Sequence, residues 1–315
     1  MAAYLVTGGA GFLGSWVVEA LVEAGHRVRV LDDLSTGKRQ NLEQVEGGIE
    51  LIVGDIRGLA LVSEAITGIE YIIHLAAIPS VTQSIHDPLS TNEVNVQGTL
   101  NLLQAAREAR VKRLVFASSS SIYGNQPQLP QHEDMSPRPL SPYSLQKLTA
   151  ETYCSLFYRL YGLETVSLRF FNIYGPRQDP GSVYSGVISR FTTALLENDP
   201  PVIYGDGHQS RDFTFVADAA RASLLAALKP EAAGQNINVA SDSPCAVIEL
   251  LTTLKELAGS DLSPAYEAPR PGEIRHSQGD GERARKLLGY EPEISLPDGL
   301  RHTLNWFKAN YRKVK

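Results

Sequence analysis

Apolar and polar positions follow two different periods along the first half of the chain. Short runs that are apolar at nearly every position are separated by longer amphipathic segments. The runs are typical of strands buried on both faces of a sheet, and the amphipathic segments of helices that cover those faces. This alternation predicts an α/β fold built on a doubly wound parallel sheet with right-handed crossovers. The predicted strands are residues 4–7, 28–31, 51–53, 71–75, 114–117 and 165–169, and the predicted helices are residues 15–24, 59–67, 95–107 and 143–161.

The pattern changes after about residue 172. Prolines and glycines cluster at 175–177, 179–181 and 199–201, and the helical segments become separated by longer loops. Residues 236–239 are typical of one further strand, placed to return to the main sheet. We therefore expect a first domain at residues 1–175 and a smaller, partly interleaved α/β domain at residues 176–315.

Composition and charge exclude several classes of protein. The 315 residues are 43% hydrophobic and 20% charged, which is ordinary for a globular chain and excludes disordered and fibrous classes. The net charge of −6 is spread without long basic blocks, so we expect neither nucleic acid nor a membrane surface as a partner.

Cys154 and Cys245 are far apart and suggest no disulfide framework or metal site. No apolar run approaches the roughly 18 residues that span a bilayer. These features predict a soluble, cytoplasmic protein.

A glycine-rich loop follows the first predicted strand. Residues 7–14 read Thr-Gly-Gly-Ala-Gly-Phe-Leu-Gly and open the first predicted helix. Glycines at this spacing allow a tight turn, a close backbone approach to a pyrophosphate, and close packing of helix on strand. Asp32 ends the second predicted strand, where a carboxylate accepts hydrogen bonds from an adenosine ribose and repels a 2′-phosphate. The loop therefore predicts a dinucleotide site that favours NAD over NADP. Nearby Lys38 and Arg39 argue against that preference, and a purely structural turn is the alternative.

A tyrosine and a lysine lie one helical turn apart. Tyr143 and Lys147 occupy positions i and i+4 of a predicted helix and so share a face. A free phenol has a pKa of about 10, and a nearby ammonium lowers the pKa toward neutral pH. The serine run at residues 118–121 ends a predicted strand, at the sheet edge where ligands bind in open α/β folds. This arrangement predicts an acid/base site, although the serines alone could form a polar turn that caps itself.

Taken together, these residues resemble the extended short-chain dehydrogenase/reductase family, and within it the nucleotide-sugar 4-epimerases. The resemblance covers nearly the whole chain and implies an NAD-binding Rossmann domain followed by a UDP-sugar-binding domain. The further segments that carry it are Gly54-Asp-Ile-Arg57, His74-Leu-Ala-Ala77, Asn95 with Gly98-Thr99, Arg169-Phe-Phe-Asn172, Gly205-Asp-Gly-His-Gln-Ser-Arg-Asp-Phe213 and Arg270-Pro-Gly-Glu-Ile-Arg275.

The resemblance also implies roles for individual residues. Tyr143 would be the catalytic acid/base, Ser119 would hydrogen bond to the sugar 4-hydroxyl, and Lys147 would hold the nicotinamide ribose and tune the tyrosine. The implied cofactor-binding residues are Gly8, Gly11, Phe12, Leu13, Gly14, Asp32, Asp33, Ser35, Thr36, Gly37, Asp55, Ile56, Leu75, Ala76, Ala77, Asn95, Ser118, Tyr143, Lys147 and Phe171. The implied substrate-binding residues are Ser80, Ser119, Ser120, Tyr143, Asn172, Val187, Val202, Tyr204, Gln209, Arg211, Arg270 and Ser277. Surface salt bridges are the alternative for Arg211 and Arg270.

The implied reaction is a transient oxidation. The tyrosine removes the proton of the 4-hydroxyl of a UDP-sugar while NAD takes hydride from carbon 4, and the hydride returns to the other face of the 4-keto sugar. A 4,6-dehydratase or a decarboxylase of the same family starts with the same oxidation. Those enzymes carry carboxylates where this chain has Ser120 and Ser121, and a hydroxyl cannot do the same proton chemistry. A cofactor-bound scaffold without activity is the third alternative.

The substrate and the oligomeric state follow from the same resemblance. Ser277 stands where related epimerases often carry tyrosine, and a small residue there leaves room for a 2-acetamido group. UDP-GlcNAc/UDP-GalNAc is therefore the expected pair, with UDP-glucose/UDP-galactose as an additional pair and UDP-glucuronate still open. Helices 95–107 and 143–161 are expected to form a homodimer, with ordinary packing on the sheet as the alternative. We expect the second helix to expose aromatic residues on more than one face, which favours the dimer: Tyr153, Phe157, Tyr158 and Tyr161.

Overall fold

A computed structural model describes residues 1–179, 186–269 and 274–314, with side chains as far as Asn310. The strands within these residues are β1 Ala3–Thr7, β2 Arg27–Asp32, β3 Ile49–Val53, β4 Tyr71–His74, β5 Arg113–Ser119, β6 Glu164–Phe170, β7 Ile173–Tyr174, β8 Val202–Tyr204, β9 Ser210–Asp212, β10 Thr214–Phe215, β11 Asn236–Val239, β12 Pro244–Ala246 and β13 Ala265–Glu267. Seven of them form a parallel sheet in the order β11-β6-β5-β4-β1-β2-β3.

Helices cover both faces of this sheet. The α-helices are α1 Phe12–Glu23, α2 Leu59–Ile66, α3 Val81–His86, α4 Pro88–Asn92, α5 Thr99–Glu108, α6 Pro142–Tyr161, α7 Val187–Glu197, α8 Val216–Leu228, α9 Val247–Ala258, α10 Glu282–Leu288 and α11 Leu296–Val314. Short 3₁₀ segments span Arg39–Gly48, Ser120–Tyr123 and Pro230–Ala232, and a π-helical turn spans Glu93–Gly98. No helix in the described part of the chain is both long and apolar enough to cross a membrane.

Strand β1 shows why its sequence is apolar at nearly every position. Tyr4 and Val6 pack into one buried cluster with residues of α1 and α8. Leu5 points to the opposite face and packs with residues of α5 and α6. Successive side chains of a strand point to opposite faces, so a strand that is covered on both sides has no polar period. The predicted fold class is confirmed.

The predicted element boundaries are close to the observed ones, with two differences. Helix α1 begins at Phe12, three residues before the predicted start, because the glycine loop ends directly in the helix. The predicted helix 95–107 is divided into the π-helical turn Glu93–Gly98 and α5. The sequence period does not reveal this change, since a single π turn alters the phase of only one turn.

The chain after residue 175 contributes to the main sheet as well as to a separate core. Strand β11 pairs in parallel with β6, from Asn236 opposite Ser167 to Val239 opposite Phe170, as predicted. The other short strands form three two-stranded pairs, β10 with β7, β12 with β9 and β13 with β8. Residues of α7, α9 and α11 enclose a third hydrophobic cluster beside these pairs. The division near residue 175 itself stays a prediction.

One expectation about α6 is wrong. Phe157 is 6% exposed and belongs to the core between the helix and the sheet, so it does not lie on an exposed face. Its ring contacts Tyr161 edge to face, with centroids 4.9 Å apart. Tyr158 and Tyr161 are exposed, whereas Tyr153 is half-buried. The helix therefore presents fewer aromatic side chains to solvent than its sequence suggests.

Candidate active site

Backbone hydrogen bonds fix the glycine loop between β1 and α1. The amide of Gly8 donates to Leu31 O at 2.8 Å, and the amide of Gly11 donates to Gly8 O at 3.1 Å. Gly8 has a φ of +70°, and a Cβ there would lie 2.7 Å from the amide nitrogen of Ala76. Helix α1 starts after Gly11, which has no side chain to cap the first amides. Phe12, Leu13 and Gly14 form that uncapped first turn, so the loop is a backbone cradle suited to an anion such as a pyrophosphate.

Asp32 lies beside this cradle at the end of β2. Its Oδ2 accepts from the amide of Ala10 and its Oδ1 from the amide of Leu34, both at 2.9 Å. Burial raises the pKa of this carboxyl, whereas the two amide donors lower it. Gly37 packs so closely that a Cβ there would lie 2.7 Å from Oδ1. The carboxylate thus fixes the loop that follows β2. The same loop carries Asp33, Ser35 and Thr36, of which Ser35 donates through its amide and its hydroxyl to Asp33.

Lys38 makes an ion pair that bears on the choice of cofactor. Its Nζ lies 2.8 Å from Oδ2 of Asp179, a residue of the loop after β7. The ammonium is therefore held by a carboxylate from another part of the chain. A buried carboxylate at Asp32 and an engaged ammonium at Lys38 both disfavour a ribose that carries a 2′-phosphate.

Four neighbouring strands bring the other predicted cofactor residues to the cradle. β4, β1 and β2 are adjacent, and β3 lies next to β2. Leu75, Ala76 and Ala77 follow β4, and the amide of Ala76 donates to the hydroxyl of Thr7 at 3.3 Å. Asp55 and Ile56 follow β3. The Arg57 guanidinium, 2.6 Å from Asp55, is the main reason why the pKa of that carboxyl is lowered. These residues meet at the carboxyl ends of parallel strands, where open α/β folds bind ligands.

The predicted catalytic residues meet at the end of β5. Helix α6 is capped at Ser141, whose hydroxyl accepts from the amide of Ser144 at 3.2 Å. The side chain of Tyr143, in the first turn of this helix, interacts with that of Ser119, the last residue of β5, which lowers the pKa of the phenol. Lys147, one turn later, donates from Nζ to Ala117 O at 2.8 Å. The helix and the strand thus bring a phenol, a hydroxyl and an ammonium into one site.

The acidity of Tyr143 differs from the expectation. Burial raises the pKa of Tyr143 to about 12, and the hydrogen bond with Ser119 lowers it by less. Burial also lowers the pKa of Lys147 to about 8. The expectation that the nearby ammonium brings the pKa of the phenol toward neutral pH is wrong for the protein without ligands. Burial removes water from around both groups and so disfavours their charged forms. This raises the pKa of the phenol of Tyr143 and lowers that of the ammonium of Lys147.

Several predicted cofactor residues have hydrogen bonds or packing within the protein. Asn95 is 2% exposed, and its amide bonds to both backbone groups of Ile78 and to Gln146 Oε1. Ser118 donates its hydroxyl proton to Glu151 Oε2 at 2.7 Å. Phe171 is fully buried, with its ring centroid 6.2 Å from that of Tyr123. These contacts support the walls of the site.

The predicted substrate-binding residues lie on a second group of loops and on the helices and strands next to them. Asn172, with φ of +20°, donates from Nδ2 to Asp212 O at 2.8 Å. Arg211 donates from Nη1 to the carbonyls of Ser210 and Arg275 at 2.9 and 3.2 Å. Ser80 caps α3 and Ser120 begins the 3₁₀ segment after β5, while Val187 begins α7. Val202 and Tyr204 lie on β8, Gln209 donates to Tyr204 O, and Ser277 is buried. Arg270 lies outside the described residues.

The sequence interpretation missed two buried carboxylates that hold the site together. Glu151 forms a buried ion pair with Arg169 at 2.7 Å, directly below Ser118. Asp212 is fully buried and accepts from the amide and hydroxyl of Ser241, both at 2.7 Å, and from the amide of Gly279. Glu151 could have been found, because it lies eight residues after Tyr143 and hence on the same helix face. Asp212 has no comparable local signal.

Comparisons with known proteins agree with this geometry. Residues 4–240 match the NAD dependent epimerase/dehydratase family. A putative UDP-glucose 4-epimerase of Methanocaldococcus jannaschii is 40% identical over 98% of this chain and 99% of its own. A UDP-N-acetyl-alpha-D-glucosaminuronate decarboxylase of Bacillus cytotoxicus is 35% identical over 96% of this chain and 97% of its own. The solved structure of a UDP-N-acetylglucosamine 4-epimerase from Methanobrevibacter ruminantium M1, in complex with UDP-N-acetylmuramic acid, is 37% identical with a TM-score of 0.94, over 98% of this chain and 99% of its own.

The residues present also fit the cofactor that the family name specifies. A Cβ on Gly14 would overlap the carbonyl oxygen of Gly8, so α1 can pack this closely on β1, with its first amides at the cradle, only with glycine there. Asp32 lies at the position suited to a ribose without a 2′-phosphate. The chain belongs to the NAD dependent epimerase/dehydratase family, and NAD is its cofactor.

Proposed function

We propose that the protein is a UDP-sugar 4-epimerase that works through transient oxidation at carbon 4. The observation that carries this proposal is the meeting of Ser119, Tyr143 and Lys147 at the end of β5. The next two residues of the strand end, Ser120 and Ser121, bring no carboxylate to it. Dehydration or decarboxylation needs further proton transfers, for which a hydroxyl is a poor acid or base. The same site therefore favours epimerisation over those reactions.

The residues of the site divide the work of the reaction among them. Tyr143 takes the proton of the sugar 4-hydroxyl and later returns it, while Ser119 orients that hydroxyl by a hydrogen bond. Lys147 contributes a positive charge one turn away. Bound NAD supplies the acceptor and then the donor of the hydride. With Lys147 in place and no ligand bound, the pKa of Tyr143 is raised to about 12, so a further positive charge, that of the oxidised nicotinamide, would be needed beside the phenolate to make it a base at neutral pH.

The UDP part of the substrate is proposed to bind the loops around β8 and β9. Arg211 is held by two carbonyl oxygens, which fixes the direction of its guanidinium. Planar guanidinium groups suit phosphate oxygens, and Arg270 is the second arginine proposed for this role. Asn172, Tyr204 and Gln209 are further residues proposed to bind the UDP part. Tight binding of UDP and loose binding of the hexose let the 4-keto sugar turn over within the site.

The proposed sugars are UDP-GlcNAc and UDP-GalNAc, with UDP-glucose and UDP-galactose as a second pair. The test is incubation of the purified protein with UDP-GlcNAc, UDP-glucose and, separately, UDP-glucuronate, without added reductant, followed by chromatography of the products. We expect interconversion of the two acetamido sugars without change in mass. Release of carbon dioxide, loss of water, or turnover of UDP-glucuronate alone would contradict the proposal.

Changing Ser277 to tyrosine tests the choice of sugar. Ser277 is 6% exposed and its amide donates to Ser210 O at 3.1 Å, so its position is fixed. A tyrosine would take up the space proposed for the acetamido group. We expect kcat/KM for UDP-GlcNAc to fall at least about tenfold, and that for UDP-glucose to fall less than about threefold. Ser277→Ala is the control and should change neither. Equal losses on both sugars in Ser277→Tyr would refute the assignment.

We further propose that the chain is a cytoplasmic homodimer and that its NAD-binding and UDP-sugar-binding domains divide near residue 175. Helices α5 and α6 are the proposed dimer surface. At the end of α6, Leu160 and Tyr161 are 67% and 50% exposed, which leaves apolar area for a partner helix. Sedimentation should give twice the chain mass of 34.3 kDa at micromolar concentration. A mass of one chain would refute the dimer.

A further inference from the structure

One face of α6 contacts three successive residues of β5. The side chain of Tyr143 interacts with that of Ser119, which lowers the pKa of the phenol. Lys147 donates to the carbonyl of Ala117, and Glu151 accepts the hydroxyl proton of Ser118 at 2.7 Å. The three helix residues are spaced by four positions and therefore lie above one another on the same face. The first two belong to the proposed reaction. Glu151 is a third member of the same face, and it takes no direct part in the proposed reaction.

Glu151 is held rigidly from the side of β6. It is 2% exposed, and the guanidinium of Arg169 binds both of its oxygens, Nη2 to Oε1 at 2.7 Å and Nε to Oε2 at 3.1 Å. Paired contacts of this kind fix the plane of the carboxylate. Because Oε2 accepts from Ser118, the serine proton points toward the helix. The oxygen of Ser118 can then serve any further partner only as an acceptor.

Arg169 is itself fixed by groups from other elements. Its Nη1 donates to the hydroxyl of Tyr123 at 2.8 Å and to Glu133 O at 3.2 Å. Tyr123 in turn donates to Asn238 Oδ1 at 2.7 Å, on β11. Burial leaves none of these groups free to bond with solvent instead, so the chain of bonds has one favourable arrangement. It links β5, α6, β6 and β11 below the site.

We propose that Glu151 is a positioning residue for the reaction, which sets the register of α6 on β5 and so aligns Tyr143 with Ser119. This inference rests on the proposed function. The Ser118 that Glu151 binds is adjacent to the Ser119 that interacts with Tyr143, so a shift of the helix along the strand breaks the first contact and displaces Tyr143 from Ser119. A displacement of about 1 Å of a reacting group can cost about a hundredfold in rate. Glu151 does not contact the proposed reacting atoms.

Glu151→Asp tests the inference with the charge kept. The side chain becomes shorter by one carbon–carbon bond, about 1.5 Å, and cannot reach Arg169 and Ser118 at once. We expect kcat for UDP-GlcNAc to fall between about tenfold and a hundredfold, with KM within about twofold and with NAD content unchanged. The limb of the kcat pH profile that reports Tyr143 should move to higher pH, because the hydrogen bond with Ser119 lowers the pKa of the phenol.

Ser118→Ala is the second variant. It breaks the same link and keeps the ion pair of Glu151 and Arg169, so it decides the question if Glu151→Asp does not fold. It should likewise lower kcat by about tenfold or more and move the same limb of the pH profile.

Glu164→Gln is the matched control. Glu164 pairs with the buried Arg113 at 2.6 Å, and the two residues are opposite each other at the other end of β5 and β6. Both strands extend over several residues between this pair and the site. At the rise of an extended strand, the separation is roughly 20 Å. We expect a lower melting temperature in Glu164→Gln with kcat within about twofold of the unchanged protein.

The outcomes separate this inference from the proposed function. If the unchanged protein converts no UDP-sugar, the proposed function fails. Crystal structures of the unchanged protein and of Glu151→Asp then decide the inference, which requires the Tyr143–Ser119 hydrogen bond in the first and its loss in the second. If the protein is active, kcat within twofold in both Glu151→Asp and Ser118→Ala overturns the inference. A loss of kcat in Glu164→Gln as large as in Glu151→Asp also overturns it, because the effect would then be one of stability alone.

Discussion

Tyr143→Phe should lower kcat for UDP-GlcNAc by about a thousandfold, while the fold and the NAD content remain unchanged. The substitution removes one oxygen, which is the proposed acceptor of the sugar 4-hydroxyl proton. General acid–base groups contribute about 10² to 10⁴ to a rate, and the other base on this face of α6, Glu151, is engaged in its buried ion pair. Ser119 lacks a base of its own, and Lys147 has its Nζ bonded to Ala117 O. The measurement is steady-state kinetics together with NAD released on denaturation.

Tyr161→Phe is the control for this prediction. The residue is the last of the same helix, whereas Tyr143 lies in its first turn. At the rise of an α-helix, the two are roughly 27 Å apart along the axis. The ring of Tyr161 is 50% exposed and lies against the Arg107 guanidinium, 4.7 Å from the ring centroid. Removal of its hydroxyl should leave kcat within about twofold. If Tyr143→Phe keeps more than a tenth of the activity, Tyr143 is not the acid/base.

The parts of the fold that were predictable from sequence are those with a local cause. Strands β1 and β5 are covered on both faces, and their continuous apolar runs follow directly from that burial. Helix α6 carries its own start signal in Ser141 and its own stop signal in Gly162, which adopts a left-handed conformation. Strand β11 alternates asparagine with isoleucine and valine, which is the two-residue period of a strand, and it pairs with β6 at one edge of the sheet although several other elements separate the two along the chain.

The loops after residue 175 were less predictable, because distant residues decide their structure. Strands β8, β9 and β13 have three residues each, too few to show any period. β9 is a strand because Arg211 lies opposite Cys245 of β12. Asp212 becomes the anchor of this region through Ser241 and Gly279, which follow 29 and 67 residues later. Such contacts exist only after the chain has folded.

The site shows the same division between local and distant causes. The spacing of the glycines, Asp32, and the pair Tyr143 and Lys147 could be read along the chain. The acidity of Tyr143 could not, since the sequence shows the nearby lysine and not the burial that raises the pKa of the phenol. The link of Glu151 to Ser118 likewise joins residues 33 positions apart. Local spacing therefore pointed to the proposed reacting groups, whereas only the folded structure shows their electrostatics and their support.

Gly14→Ala should remove bound NAD and destabilise the fold, since the cradle has no space for a single methyl group. A Cβ on Gly14 would overlap Gly8 O and lie 2.7 Å from the Cα of Gly9. Both neighbours are backbone atoms, so neither can rotate away as a side chain could. Helix α1 must then move from β1, which takes its first amides away from the pyrophosphate. We expect NAD content below about a tenth of that in the unchanged protein and a loss of about 1–3 kcal/mol in the free energy of unfolding.

Two other glycines provide a graded control for that result. Gly47 lies in the 3₁₀ segment after β2 and has no atom within 4 Å of the position of a Cβ, so Gly47→Ala should leave NAD content and melting temperature unchanged. Gly11 has one close neighbour, Gly8 O at 3.1 Å, and Gly11→Ala should lie between the two. If methyl groups at all three positions have the same effect, conformational freedom of glycine explains the loss. If the loss of NAD instead increases from Gly47→Ala through Gly11→Ala to Gly14→Ala, it follows the decreasing space around each Cβ. That result would mean that the close approach of α1 to β1 is needed to hold the cofactor.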